Sequence, residues 1–140
     1  MRRGYPVQPE TDIQRMLAQL KPSLIPGEYV FCSLPQSEFC ALAPETVLGS
    51  FREAEGVTAL LEKTQADASG FSYDGVFAGI TLGVYSSLSA VGLTTAVASA
   101  LAERDIPANV IAAYHHDHVF VPVALRDQAL DALASLGAAS

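Results

Sequence analysis

The chain has 140 residues, of which 50% are hydrophobic and 16% charged, a composition that excludes a disordered protein. At this length a folded chain buries roughly 68 to 70% of the surface exposed by its unfolded form, so a core can form without disulfides or a metal, and no cofactor is expected. The formal charge is −7 and the eight basic residues are scattered, which argues against nucleic acid or an anionic membrane as a partner.

Cysteine usage and hydropathy favour a cytoplasmic protein. Cys32 and Cys40 are the only cysteines, fewer than a secreted scaffold would carry, and their spacing matches no zinc pattern. The two N-terminal arginines precede no apolar stretch, so no signal peptide is expected. Residues 75–102 lack charge, but a polar break at 85–89 favours a buried strand followed by a helix over a membrane span.

The first half predicts one helix and two strands. Residues 11–14 fit a capping box, with Thr11 as the cap of a helix that ends before Pro22. Strands are predicted over residues 28–34, stopped by Pro35, and over residues 57–61. Residues 36–49 show no clear pattern, and residues 65–75 read as a loop or a turn of helix and a loop.

The second half has stronger patterns. They predict a strand over 77–84, a helix over 89–104, strands over 109–114 and 119–123 joined by a tight turn at 115–118, and a helix over 126–136 that ends at Gly137. This β-α-β-β-α order is the ferredoxin-like plan without its closing strand. We therefore expect one sheet system or two interlocked half-copies, with no linker between independent domains.

The segment between the strand at 77–84 and the following helix is the strongest candidate site. A helix N-terminus after a strand offers free backbone amides to a carboxylate or phosphate, and Gly92 lets a ligand approach the backbone closely. The alternative is structural: Ser87 or Ser89 caps the helix, and Gly92 packs it tightly on the sheet.

The stretch SSLSAVGLTTAVASALAERDIPANVIAAYHHDHVFVP resembles the ACT-domain proteins, in particular small bacterial proteins of tandem ACT-like repeats related to aspartokinase regulatory domains. YVFCSLP and FREAEGVTALL resemble the corresponding motifs of a degenerate N-terminal repeat. The resemblance implies an α+β fold of tandem ferredoxin-like βαββαβ units, with antiparallel sheets and helices on one face. It assigns residues 1–70 to a degenerate N-terminal half and residues 71–140 to a C-terminal ACT-like domain, the two being interlocked.

The resemblance also implies a non-catalytic regulatory protein that binds an amino acid or a related metabolite where the loop of one ACT unit meets a neighbouring unit, often in a homodimer. No catalytic domain is attached in this chain, so what it would regulate stays open. The matching positions are Ser86, Ser87, Leu88, Ala90, Val91, Gly92 and Leu93 in the loop, and Asn109, Val110 and Ile111 on the next strand. Loop amides would bind the ligand carboxylate, while Asn109 can both donate and accept hydrogen bonds.

Two charged segments are secondary candidates. Arg52, Glu53 and Glu55 could pair with a ligand's charged groups across the junction of the two half-copies, or form a solvated turn. His116 and Asp117 lie in the sequence His-His-Asp-His, which invites a metal site, but consecutive residues point in different directions and only His116 and His118 would share a side. A polar hairpin turn is the simpler interpretation, and we expect no metal.

The sequence contains no nucleophile and base at motif spacing and no phosphate-binding glycine loop, so catalysis has no positive support. A small-molecule-binding regulatory protein is therefore the leading hypothesis. Its competitors are a protein-interaction domain with a degenerate ligand site and a small metal-dependent enzyme that uses the His-His-Asp-His turn.

Overall fold

The computed structural model describes residues 12–85 and 91–139, with the backbone alone at 138 and 139. The described chain forms the following helices and strands in order: α1 (Ile13–Ala18), β1 (Pro22–Leu24), β2 (Tyr29–Leu34), α2 (Gln36–Cys40), β3 (Val47–Glu53), β4 (Gly56–Glu62), α3 (Lys63–Ser69), β5 (Phe77–Leu82), α4 (Leu93–Ala102), β6 (Asn109–Ala112), β7 (Asp117–Pro122) and α5 (Arg126–Ala139). This is an α+β fold in which the pairs β1–β5, β2–β4, β2–β5, β3–β4 and β6–β7 are antiparallel.

The chain divides into two compact units, with the boundary inside β5. The larger unit consists of the described parts of residues 1–25 and 79–140, and the smaller unit consists of residues 26–78. The larger unit is thus built from both ends of the chain. The predicted ferredoxin-like α+β plan is confirmed.

The larger unit has the strand order β1-β5-β7-β6. Its closing strand, missing from the second half of the sequence, is β1, which pairs with β5 so that Ser23 lies opposite Thr81. β1 has only three residues, too few for an alternating pattern to reveal it in the sequence.

One core holds the larger unit together. Alternate residues of β5 (Ile80 and Leu82) and of β7 (Val119 and Val121) face helices α1, α4 and α5. Val97 and Leu101, four residues apart, present one face of α4 to this core and are almost fully buried. The helices therefore cover one side of the sheet.

The smaller unit has the strand order β3-β4-β2, and Tyr29 of β2 also pairs with Phe77 at the start of β5. Residues of β2 and β4 alternate between this sheet's two faces. Its core consists of Val30, Cys32, Leu34, Ala59, Leu61 and Ala66, with helices α2 and α3 on the same side.

The sequence left residues 36–49 without structure, but they contain α2 and the start of β3. α2 has five residues and no fully buried side chain, so a helical period has no room to show. β3 is the edge strand and is mostly exposed, which removes the alternation that a half-buried strand would display.

Four predicted boundaries are wrong. α1 is capped by Asp12, whose carboxylate accepts a hydrogen bond from Arg15 N at 3.1 Å, while Thr11 lies outside the described residues. Val91 and Gly92 precede α4, which begins at Leu93 rather than at residue 89. β7 already begins at Asp117.

The fourth wrong boundary is the end of the last helix. α5 continues through Gly137 to Ala139 instead of stopping there. A Cβ at Gly137 would lie 3.2 Å from Leu17 O, so this glycine allows close packing of α5 against the end of α1. No helix within the described residues is long and apolar enough to cross a membrane.

Candidate functional site

The predicted loop is the connection between β5 and α4 in the larger unit. Ser86, Ser87, Leu88 and Ala90 lie outside the described residues, so the loop is seen from its two ends. Tyr85 is half-buried at the β5 end, and Val91 is 85% exposed at the α4 end. An apolar side chain this exposed is accessible to a ligand that binds at the loop.

Gly92 turns the chain into α4. Its φ of +103° lies in the region that favours glycine, and a Cβ there would make ordinary contacts with Ile13 at 3.5 Å. The glycine is therefore required by the backbone turn. Gly92 is the N-cap and has no side chain, so the N-cap residue itself supplies no oxygen to the amides of the first turn of α4.

The remaining predicted residues differ in their environments. Leu93 belongs to the buried core of the larger unit, and Val110 packs against the same core. Asn109 is exposed and its Nδ2 donates to Phe120 O across the β6–β7 pair at 3.4 Å. Ile111, 39% exposed, lies on β6, the edge strand.

The turn between β6 and β7 brings aromatic and imidazole rings to the start of the loop. The ring centroid of Tyr85 lies 5.4 Å from that of His115 and 6.4 Å from that of His116. The ring centroid of Tyr114 lies 5.0 Å from that of His115. His116 Nδ1 donates to Val84 O at 3.1 Å, which fixes the turn against the chain that leaves β5.

Asp117 is buried, with 7% of its surface exposed. In β7 it alternates with the core residues Val119 and Val121, so its side chain is on the helix-covered face of the sheet. His118 points to the opposite face, where Nδ1 forms a hydrogen bond with Thr81 Oγ1 at 3.0 Å.

Burial sets the electrostatics of these two neighbours. It raises the pKa of the Asp117 carboxyl, an effect that charge on His118 and His116 partly opposes. Burial and the nearby His116 lower the pKa of His118, with Asp117 acting in the other direction. The Asp117 carboxylate therefore pays a desolvation cost that a bound cation would offset.

The second charged segment belongs to the smaller unit. Arg52 and Glu53 end β3, and Glu55 lies in the turn to β4; all three are exposed. Glu53 accepts a hydrogen bond from Thr58 Oγ1 across the hairpin. This contact is a local turn interaction, and a solvated hairpin accounts for it.

No group of three His, Cys, Asp or Glu side chains that could hold a metal ion occurs within residues 12–85 and 91–139. His116 and His118 instead make hydrogen bonds to the end of β5. Both cysteines are free thiols, Cys32 in the core of the smaller unit and Cys40 at its surface.

Two models of the ACT domain match the sequence, one over residues 8–78 and the other over residues 77–135. The chain belongs to the ACT domain family. It is a tandem ACT protein, and ACT domains are typically ligand-binding regulatory modules.

A solved structure of similar sequence is a Vibrio cholerae protein of unknown function, described as a possible transport protein. It is 42% identical, the match covers 89% of this chain and 95% of that one, and the TM-score is 0.79. None of the curated proteins matches the chain in sequence.

More distant structures share the ACT fold alone. A protein from Agrobacterium tumefaciens is 19% identical with a TM-score of 0.68, covering 85% of this chain and 90% of that one. The regulatory subunit of aspartate kinase from Thermus thermophilus, in its ligand-free form, is 12% identical with a TM-score of 0.66. The match covers 84% of this chain and 97% of that one. The predicted resemblance to aspartokinase regulatory domains is confirmed at the level of fold.

Sequence reasoning placed Tyr85 at the start of the loop but missed Tyr114 and His115 as its neighbours. Their proximity depends on β5 and β7 being adjacent in the sheet, which brings residues 85 and 114–116 together. The predicted hairpin could have revealed this proximity, because a ferredoxin-like order places the third strand beside the first.

Proposed function

We propose that this ACT protein is a non-catalytic, cytoplasmic regulatory protein that binds an amino acid or a related metabolite in the larger unit. The site is formed by the β5–α4 loop, the edge of β6 and the start of β7. The observation that carries the proposal is the buried Asp117 carboxylate at the end of the sheet where the chain leaves β5 for α4.

The chemistry of the two ends of an amino acid matches this arrangement. The ligand carboxylate would accept hydrogen bonds from loop amides and from the first turn of α4, where Gly92 provides no side-chain cap. The ligand ammonium would pair with Asp117 and offset its desolvation. Exposed Val91 and Ile111 offer apolar contacts to a side chain.

The proposal also says which half of the chain binds the ligand. In it, residues 71–140 supply the ligand-binding ACT half, to which β1 adds the closing strand, and the rest of residues 1–70 supplies a degenerate half. Arg52, Glu53 and Glu55 take no part in binding. The protein regulated is a partner outside this chain.

We further propose that the protein forms a homodimer through continuous sheets. Each unit has a strand at the end of its sheet order, β3 in the smaller and β6 in the larger. On β3, Leu48 is 48% and Phe51 73% exposed, and unpaired edges with apolar side chains are surfaces that proteins usually cover. Light scattering at micromolar concentration should give twice the chain mass, and a monomer would contradict this part of the proposal.

The experiment that tests binding is thermal unfolding of the dialysed protein with each of the twenty amino acids at millimolar concentration. A ligand at about 100 times its dissociation constant stabilises the folded state by about 2.7 kcal/mol. For a chain of this size the midpoint should rise by roughly 8 to 10 °C. If no amino acid shifts the midpoint of folded, ligand-free protein, the protein-interaction hypothesis replaces this one.

A further inference from the structure

A cavity distinct from the proposed amino-acid site lies in the smaller unit. It has a volume of about 430 Å³ and is formed by one end of β2, the connection from α3 to β5, and the first residue of β5. We call it the aromatic cleft. Its side chains are Phe31, Tyr73 and Phe77, with Ser33, Ser72 and Asp74 beside them.

The aromatic walls of the cleft are held in place by contacts within the unit. Phe31 and Phe77 pack edge to face, with ring centroids 5.3 Å apart and planes at 87°. A Cβ at Gly75 would lie 3.3 Å from Phe77 Cε1, so this glycine allows the chain to pass close to the ring. These two rings form a preorganised wall.

Tyr73 is fixed by a charged network on α3. Its hydroxyl donates to Asp67 Oδ1 at 2.7 Å, and Lys63 Nζ donates to Asp67 Oδ2 at 2.9 Å. The Lys63 charge is therefore engaged by Asp67. Tyr73 also packs against the core of the smaller unit on the side of α3, whereas Phe31 and Ser33 alternate with the core residues of β2 and face the other side of the sheet. Tyr73 therefore borders the cleft, and its ring is not counted among the aromatic walls.

The charge that the described residues bring to the cleft is negative. Asp74 is exposed and contributes a carboxylate, and among the residues that the structure describes no Lys, Arg or His lines the cavity. Aromatic faces carry negative electrostatic potential and attract cations. The Phe31–Phe77 ring pair and one carboxylate therefore favour a positive ligand with an apolar surface over an anion or a neutral polar ligand.

We propose that the aromatic cleft binds a small organic cation whose ammonium group carries alkyl substituents. The alkylated head would lie against Phe31 and Phe77, and its charge would face Asp74. Ser33 and Ser72 can accept a hydrogen bond from a hydroxyl on the same ligand. This site goes beyond the proposed amino-acid site and uses none of its residues.

Calorimetry with choline as the probe tests the proposal. Its uncharged counterpart of nearly the same shape, 3,3-dimethylbutan-1-ol, is the matched ligand control. We expect choline to bind and the alcohol to bind at least about tenfold more weakly, because it lacks the cation–π and carboxylate terms. Equal binding of both ligands, or binding of neither to folded protein, would overturn the proposal.

Variants locate the binding. Asp74→Asn and Phe77→Leu should each weaken choline binding by roughly three- to tenfold, since each removes one attraction to the cation. Phe51→Leu changes an exposed ring of the same unit outside the cleft and should leave binding unchanged. Loss of binding in Phe51→Leu, or none in both cleft variants, would contradict the assignment.

The result is independent of the amino-acid site. Asp117→Asn should leave choline binding unchanged, and Asp74→Asn should leave any amino-acid response unchanged. If Asp117→Asn abolishes choline binding, the cation binds in the larger unit and the aromatic cleft is not its site.

Discussion

The two units differ in how the chain passes from strand to helix. In the larger unit it passes from β5 to α4 through residues 83–92, whereas in the smaller unit only Pro35 separates β2 from α2. α4 has ten residues and α2 has five. The same fold therefore has a longer connection before a longer helix in one unit and a tight connection before a short helix in the other.

This difference indicates where a ligand can bind. A loop around a ligand needs backbone amides that are not already used, and the connection at Pro35 offers few because proline has no N–H. The start of β7 also contributes the buried Asp117, while β4 begins at the same point of its unit with Gly56 and Val57. We therefore expect the larger unit to bind the amino acid and the smaller unit not to.

The largest expected effect is that of Asp117→Asn on amino-acid affinity. It should lower the affinity on the order of 100-fold, since a charged partner of the ligand ammonium is lost. Folding should be preserved or improved near neutral pH, because burial raises the pKa of this carboxyl and the neutral amide avoids its desolvation. Calorimetry measures the affinity and thermal unfolding the stability.

Glu53→Gln in the smaller unit is the matched control for Asp117→Asn. It removes a carboxylate that Thr58 already contacts, and amino-acid affinity should not change. If Glu53→Gln weakens binding as much as Asp117→Asn does, the site is not confined to the larger unit.

The sheets of the two units should respond differently to an added methyl group. In the larger unit, a Cβ at Gly79 would lie 2.7 Å from Phe120 Cε2 and 2.8 Å from Ile25 Cδ1, so Gly79→Ala should cost about 1 to 3 kcal/mol of unfolding free energy. In the smaller unit, a Cβ at Gly49 would have no neighbour within 4 Å, and Gly49→Ala should change it by less than about 0.5 kcal/mol. Denaturant titration of both variants measures these changes. Equal losses of unfolding free energy in the two variants would contradict the close packing around Gly79 of β5.

Substituting two glycines with positive φ distinguishes a loss of stability through backbone strain from a loss of amino-acid affinity. Gly92 precedes α4 with φ +103° and Gly70 follows α3 with φ +73°, and neither site is crowded enough to exclude a Cβ. Gly92→Ala and Gly70→Ala should each destabilise folding by about 1 to 2 kcal/mol through backbone strain. Amino-acid affinity, measured by calorimetry below both unfolding midpoints, should fall in Gly92→Ala alone. Unchanged affinity in Gly92→Ala would remove the start of α4 from the site.

The smallest expected effect is a pH dependence confined to the larger unit. Because the folded protein holds the pKa of His118 below its usual value near 6.5, the unfolded state binds more protons just below that pH. The contribution of neutral His118 to the free energy of unfolding should therefore be complete above about pH 6.5. It should be lost as the pH decreases through the lowered pKa.

His118→Gln tests this dependence, since glutamine keeps a hydrogen-bonding group near Thr81 but does not titrate. Denaturant unfolding between pH 5 and 7.5 should show a shallower slope for the variant than for the natural protein. Asp117 acts in the opposite sense, because its raised pKa makes stability decrease as pH rises through that value. Identical slopes in the two proteins would contradict the burial of His118.

The fold was largely predictable because its core strands and α4 carry strong patterns. Residues 29–34, 56–62 and 77–82 are apolar, β-forming segments, and the sequence predicted all three as strands. β1, α2 and β3 were missed because they are short or exposed, and their positions depend on tertiary pairing.

The candidate site was predictable in outline only. A small-residue loop before a helix marks the position of Gly92, but the burial of Asp117 follows from its phase in β7, which the misplaced start of that strand concealed. The neighbours Tyr85 and His115 come together only through adjacent strands. The aromatic cleft has no local signature, because Phe31 and Phe77 are far apart in sequence.

The central claim is that the larger unit binds the amino acid. The most direct measurement is a ¹H–¹⁵N NMR titration of the labelled protein with whichever amino acid raises the unfolding midpoint. We expect the largest amide shifts at Tyr85, Val91–Leu93 and Asn109–Asp117. Shifts concentrated instead in residues 36–50 of the smaller unit would contradict the account.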